Sequence, residues 1–169
     1  MCIRDSAGRV SEEKGVNSLL ATYEEIKNPK YKLLIIGDGP EFNKLEKKFS
    51  SENIKFTSQL SNNETLDLIK KAKCVVTATK LYEGQPTLLC EASLNQEPSI
   101  FPNTGGIKEF FPSNYKLTYE QFNYDELKSI FYNINNEEIE NIGLDAKNFY
   151  IENFSKDQYF ETLESLITT

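Results

Sequence analysis

The chain has 169 residues, 38% of them apolar, and a formal charge of −7. That length and composition suit one soluble globular domain with a core, while the acidic balance and scattered lysines exclude a nucleic-acid partner held by phosphate neutralisation. No apolar run approaches the roughly 18 residues of a membrane span, and no secretion signal opens the chain, so a cytoplasmic location is the default expectation. The cysteines at positions 2, 74 and 90 have neither metal-ligand spacing nor an even framework, and they read as reduced packing residues.

Met1 to Ser6 carry charges where a layered α/β sheet should place its first apolar strand. Residues 1–7 are therefore expected to be a truncated or non-native start, with the domain running from 8 to 169. Ser11 is placed to cap a first helix, whose apolar face is Val16, Leu19, Leu20, Tyr23 and Ile26. Lys32 to Ile36 reads as a buried strand ending in the turn Gly37-Asp38-Gly39-Pro40. A helix through Phe42, Leu45 and Phe49 follows, then a short strand Ile54 to Thr57. Ser61-Asn62-Asn63-Glu64 is a capping box opening a helix that carries Leu66, Ile69 and Ala72. Cys74 to Thr79 returns to the sheet, and a helix bearing Glu91 comes next. Pro98 to Phe101 and Tyr115 to Thr118 are the last expected strands, separated by the turn Asn103-Thr104-Gly105-Gly106 and a short helix. From Tyr124 the chain reads as helical and rich in aromatic residues, among them Phe149, Tyr150, Phe154, Tyr159 and Phe160. Strands alternating with amphipathic helices about every 20 residues favour a mostly parallel sheet covered on both faces.

Glu83 and Glu91 stand eight positions apart in Tyr82-Glu83-Gly84-Gln85-Pro86-Thr87-Leu88-Leu89-Cys90-Glu91. Gly84 permits a tight turn after the preceding strand, and Pro86 suits the first turn of a helix, where its missing N–H costs nothing. The unpaired N–H groups of Gln85, Thr87 and Leu88, with the partial positive charge of a helix start, would receive a phosphate. Glu91 falls one turn further along on the face of Thr87 and Leu88, where a carboxylate can accept two hydrogen bonds from a diol such as a ribose. Glu83, in the loop before the helix, would face whatever hangs from the far side of the phosphate. The same residues also fit an ordinary strand-loop-helix with two solvated glutamates.

This Glu-x7-Glu spacing resembles the signature of retaining, nucleotide-sugar-dependent glycosyltransferases of the GT-B type. Three further segments match in order. Gly8-Arg9-Val10-Ser11-Glu12-Glu13-Lys14-Gly15 resembles the family's Gly-Arg-x4-Lys-Gly segment, Gly37-Asp38-Gly39-Pro40 its glycine-rich turn, and Thr104-Gly105-Gly106-Ile107-Lys108-Glu109 its Gly-Gly-x-x-Glu segment. Together they cover most of residues 8 to 112, and the chain is similar to the C-terminal, donor-binding domain of a family 4 (group 1) glycosyltransferase.

The resemblance implies a Rossmann-like three-layer α/β/α domain, one half of a GT-B fold, with nucleotide bound outside the carboxyl ends of the strands. It implies that Arg9, Lys14 and the helix start at Thr87 and Leu88 hold the donor's diphosphate, beside Gly8, Gly37 and Gly84. Glu91 would then hold the ribose, and Glu83 would lie near the donor sugar. The implied reaction is transfer of a glycosyl group from a nucleoside diphosphate sugar to an acceptor hydroxyl with retention, in polysaccharide or glycolipid biosynthesis. The acceptor, a glycan or glycolipid, would be bound by an N-terminal domain that this chain does not supply, so the chain alone should not turn over. Peripheral membrane contact of the full enzyme is also compatible with the family. No cofactor or metal is expected, because no Asp-x-Asp occurs to bridge a metal to the diphosphate. Gln85 departs from the family, where many relatives carry an aromatic residue. The chain has no histidine, so neither Cys90 nor Ser93 has a conventional base for hydrolase chemistry. Two rival readings share the architecture: a non-catalytic Rossmann-like nucleotide-binding module, and a different enzyme such as a sugar-nucleotide epimerase or a phosphorylase.

Overall fold

The computed structural model describes residues 2–5 and 9–155. Six strands make one parallel sheet: β1 (Cys2–Asp5), β2 (Lys32–Ile36), β3 (Ile54–Thr57), β4 (Ala72–Val76), β5 (Ser99–Asn103) and β6 (Thr118–Glu120), in the order β3-β2-β1-β4-β5-β6. The helices are α1 (Val16–Glu24), α2 (Phe42–Phe49), α3 (Asn62–Ile69), α4 (Thr87–Leu94), α5 (Tyr124–Asn133) and α6 (Asn136–Phe154).

Successive side chains of a strand point to opposite faces, so a strand buried on both must be apolar throughout. In β4, Cys74 and Val76 join one core with Leu19, Leu33, Leu45 and Leu127, while Val75 joins a second with Ile69, Leu89, Ala92 and Phe101. Thus α1, α2 and α5 cover one face, and α3 and α4 cover the other. The long helix α6 lies along α4. Its Phe154 stacks on Phe110 with ring centroids 4.8 Å apart and meets Tyr150 at 5.2 Å, so these aromatic residues pack within this domain. Tyr159 and Phe160, read with them from the sequence, lie outside the described residues.

Four local expectations are corrected. Cys2–Asp5, ahead of the domain start expected at residue 8, pair in parallel with β2 and β4, with Ile3 beside Leu33 and Cys74. The ladder is made of backbone N–H and C=O groups, which charged residues carry as well as apolar ones. The first helix is not continuous from Ser11, whose side chain makes no capping bond. A short 3-10 turn, Glu12–Lys14, ends at Gly15, and α1 begins after it. Gly15 adopts φ 71°, and a Cβ there would stand 1.9 Å from the Ala78 carbonyl oxygen. The close approach of this loop to the end of β4 therefore demands glycine and breaks the helix.

The other two corrections are shifts along the chain. Ala72 opens β4 and does not continue α3, which ends at Ile69. Tyr115 does not enter the last strand. Its hydroxyl accepts from Ser99 N–H at 2.7 Å and donates to the Ser99 carbonyl at 2.8 Å, so a side chain completes the start of β5 and β6 begins three residues later, at Thr118. The capping box on α3 forms as expected. Glu64 N–H donates to Ser61 Oγ at 3.3 Å and Ser61 N–H to the Glu64 carboxylate at 2.9 Å.

Candidate functional site

The sheet order reverses between β1 and β4, since the chain proceeds outward to β2 and β3 on one side and to β5 and β6 on the other. In open parallel sheets the crevice at such a point, outside the carboxyl ends of the strands, is where ligands bind. Three loops meet there. The loop after β1 brings Arg9, and the turn after β2 is laced to it, because Val10 N–H donates to the Asp38 carbonyl at 2.9 Å and Glu41 N–H to the Val10 carbonyl at 3.1 Å. The loop after β4 brings Glu83 and the start of α4.

The crevice contains two adjoining cavities. The larger, 530 Å³, is lined by Arg9, Gly37, Asp38, Thr87, Leu88 and Glu91, together with Ile36 and residues following β3. The smaller, 230 Å³, is lined by Arg9, Lys14, Thr77, Thr79, Glu83 and Gln85, with the first residues of α4. Arg9, Thr87 and Leu88 face both cavities. The two glutamates therefore lie on opposite sides of a shared wall consisting of a guanidinium and a helix start. Pro86 occupies the N-cap of α4, one position earlier than expected, and its carbonyl accepts from Leu89 and Cys90 N–H at 2.9 and 3.0 Å. The Thr87 and Leu88 N–H groups precede those bonds, in the first turn, whose amides have no partner within the helix.

Glu83 is closely held. Its Oε1 accepts from Lys14 Nζ at 2.6 Å and from Thr79 Oγ1 at 3.0 Å. The Lys14 and Glu83 side chains are only 34% and 23% exposed, so the pair is partly shielded from water. The Glu83 backbone carbonyl accepts from Gly106 N–H at 2.9 Å. Gly105, at φ 58°, packs so closely on Glu83 that a Cβ would stand 2.0 Å from that carbonyl oxygen. The Gly105-Gly106 turn thus acts here as a backbone clamp on the Glu83 loop.

Of the residues singled out from sequence, Arg9, Gly37, Thr87, Leu88 and Glu91 come together in the larger cavity, and Arg9, Lys14, Thr87, Leu88 and Glu83 in the smaller. Gly8 lies outside the described residues. Gly84 corrects one expectation: its φ is not positive, and no atom beyond its chain neighbours lies within 4 Å of where a Cβ would stand. The turn does not need glycine at that position; the steric demand falls on Gly105 instead. Cys90 lies on the buried face of α4, and burial pushes its thiol up, which keeps it protonated and unreactive.

Sequence reasoning missed two groups. Gln59, Leu60, Asn62 and Thr65 line the larger cavity; their position just beyond the carboxyl end of a parallel strand was the available signal. Thr79, buried against Glu83, carried none.

An all-parallel sheet in this order, with cations and a helix start gathered at its switch point, defines a Rossmann-like α/β domain. Residues 6–142 match the model of the group 1 glycosyl transferases, and the chain belongs to that family. The amylovoran biosynthesis glycosyltransferase AmsD of Erwinia amylovora is 28% identical over 96 residues, 56% of this chain and 27% of that protein. The fold is that of one half of GT-B glycosyltransferases. A variant of TarM from S. aureus, solved with fondaparinux, α-GlcNAc-glycerol and UDP, superposes with a TM-score of 0.85 at 20% identity over 99% of this chain and 35% of its own. HepE of Anabaena, solved with UDP and glucose, gives 0.80 at 18% identity over 96% of this chain and 48% of its own. The chain therefore spans half or less of these relatives. Among the described residues, no helix is long and apolar enough to cross a membrane.

Proposed function

We propose that this domain binds a nucleoside diphosphate sugar across the two cavities, with the diphosphate on the shared wall of Arg9, Thr87 and Leu88. The observation that carries the reading is that wall: a guanidinium beside free helix N–H groups, with Glu91 on one side and Lys14 and Glu83 on the other. A planar guanidinium grips two phosphate oxygens, and the helix start adds oriented donors. Glu91 then accepts from the ribose diol in the larger cavity, and Glu83 faces the glycosyl group in the smaller. The 230 Å³ of the smaller cavity leaves room beside Glu83 for a sugar ring. UDP is the nucleotide favoured, since it is the one bound in the TarM and HepE structures.

In the complete enzyme the bond from the anomeric carbon to the β-phosphate oxygen breaks. Its electron pair leaves with the diphosphate, and a new bond forms to an acceptor oxygen, whose proton passes to the departing diphosphate, with the configuration retained. Arg9, Lys14 and the start of α4 stabilise the charge that collects on the leaving group, the kind of preorganised electrostatic effect whose loss costs on the order of a hundredfold in rate. Lys14 is paired with Glu83 before donor arrives, so it serves the diphosphate by exchanging or sharing partners. These groups neutralise the leaving group without a metal. The acceptor, a glycan or glycolipid in polysaccharide or glycolipid synthesis, is held by a second domain, and without it this chain does not turn over. Cytoplasmic action, with peripheral membrane contact when the acceptor is a lipid, accords with this chemistry.

Calorimetric titration of UDP, GDP and ADP into the folded chain tests the reading. UDP is expected to bind selectively, Arg9→Ala to abolish measurable binding, and Glu91→Ala to weaken it by about 1–3 kcal/mol through loss of charged hydrogen bonds. A folded chain that binds no nucleotide would overturn the donor reading, and an unchanged dissociation constant in Glu91→Ala would overturn the ribose assignment.

A further inference from the structure

Thr79 belongs to none of the four matching segments, yet it lies in the smaller cavity, 3% exposed, directly against the Glu83 carboxylate. Its hydroxyl accepts from Leu81 N–H at 3.2 Å and donates to Glu83 Oε1 at 3.0 Å. A hydroxyl has one proton. Because the Glu83 carboxylate and the Leu81 N–H can only accept and only donate respectively, that proton is directed at Glu83. The Thr79 backbone is held from a third direction, where Gln121 Nε2, at the end of β6, donates to its carbonyl at 3.2 Å. The next residue, Phe122, keeps φ 71° while 58% exposed, an unfavourable conformation for a bulky side chain that holds Gln121 at this corner.

Both donors to Glu83 act on the same oxygen, Oε1. If a diphosphate draws Lys14 toward itself, Thr79 is the partner that remains. We infer that Thr79 is a positioning residue, one that fixes the Glu83 carboxylate through Oε1 so that Oε2 is presented to the glycosyl group of the donor. This rests on the donor reading above. It assigns to a hydroxyl outside the matching segments a share in recognising the sugar, as distinct from the nucleotide.

The test compares UDP-glucose with UDP on the whole chain. Thr79→Val keeps the side-chain shape and removes the hydroxyl. It is expected to weaken UDP-glucose about tenfold, the size of one charge-assisted hydrogen bond, while UDP changes less than about twofold. Thr79→Ser restores UDP-glucose binding. Equal losses for both ligands, or no loss for either, would overturn the inference, since a merely structural role moves the two together. If the wild-type chain binds neither ligand, the donor reading has failed, and the positioning is judged from thermal midpoints alone. Thr79→Val and Glu83→Ala should then give less than additive shifts when combined, because each removes the same bond. Additive shifts would show that Thr79 does not act through Glu83.

Discussion

Glu83 is fixed at both ends, its carboxylate by Lys14 and Thr79 and its carbonyl by the Gly106 N–H. The two glycines flanking this arrangement should respond oppositely to alanine. Gly105→Ala forces a left-handed backbone onto a residue with a Cβ, about 1–2 kcal/mol, and adds a clash with the Glu83 carbonyl. Gly84→Ala meets open space without a positive φ, and should leave the urea midpoint unchanged. Urea denaturation of the two variants checks this ordering, which the sequence alone would have reversed. Glu83, Glu91 and Arg9 were legible because each sits in a contiguous run whose chemistry reads without a fold. Thr79 was not, because its partnership exists only once the loop from Lys80 to Tyr82 turns back and brings Glu83 over the end of β4.

At the level of elements, tertiary contacts decided what periodicity could not. The alternation around residue 115 reads as a strand, but the Tyr115 ring packs against Phe101 and Phe111, at centroid distances of 5.5 and 4.7 Å, and its hydroxyl substitutes for a strand partner at Ser99. Burial pushes that phenol far above its ordinary range, so it remains a donor at any pH the fold tolerates. Tyr115→Phe keeps the ring packing and leaves the Ser99 N–H without this partner. A loss of about 1–3 kcal/mol is expected in urea denaturation, with an unchanged denaturant slope. The capping box at Ser61 was readable because it is wholly local. The break at Gly15 was not, since it answers to Ala78, far away in sequence. The placement of Cys2–Asp5 was likewise hidden, because a strand between two apolar neighbours can be recruited through its backbone.

For the molecule as a whole, the alternation of strands and helices was enough to indicate a parallel sheet covered on both faces, and the two cores on either side of β4 are its physical expression. Spatial order was less legible, since nothing local in β6 says that its end will lie close enough to β4 for Gln121 to reach Thr79. The clamp at Gly106 carries a dynamic consequence. The loop after β4 is tied to its neighbours by backbone bonds on two sides, Lys80 N–H to the Glu13 carbonyl at 2.8 Å and Gly106 N–H to the Glu83 carbonyl at 2.9 Å. Neither amide can exchange its hydrogen with solvent unless the loop lifts, so the two should exchange as a pair, with matching protection, although 26 residues separate them in the chain. Hydrogen exchange followed by NMR would then report the opening of this loop in the unliganded chain, and unequal protection would mean that its two ends open independently.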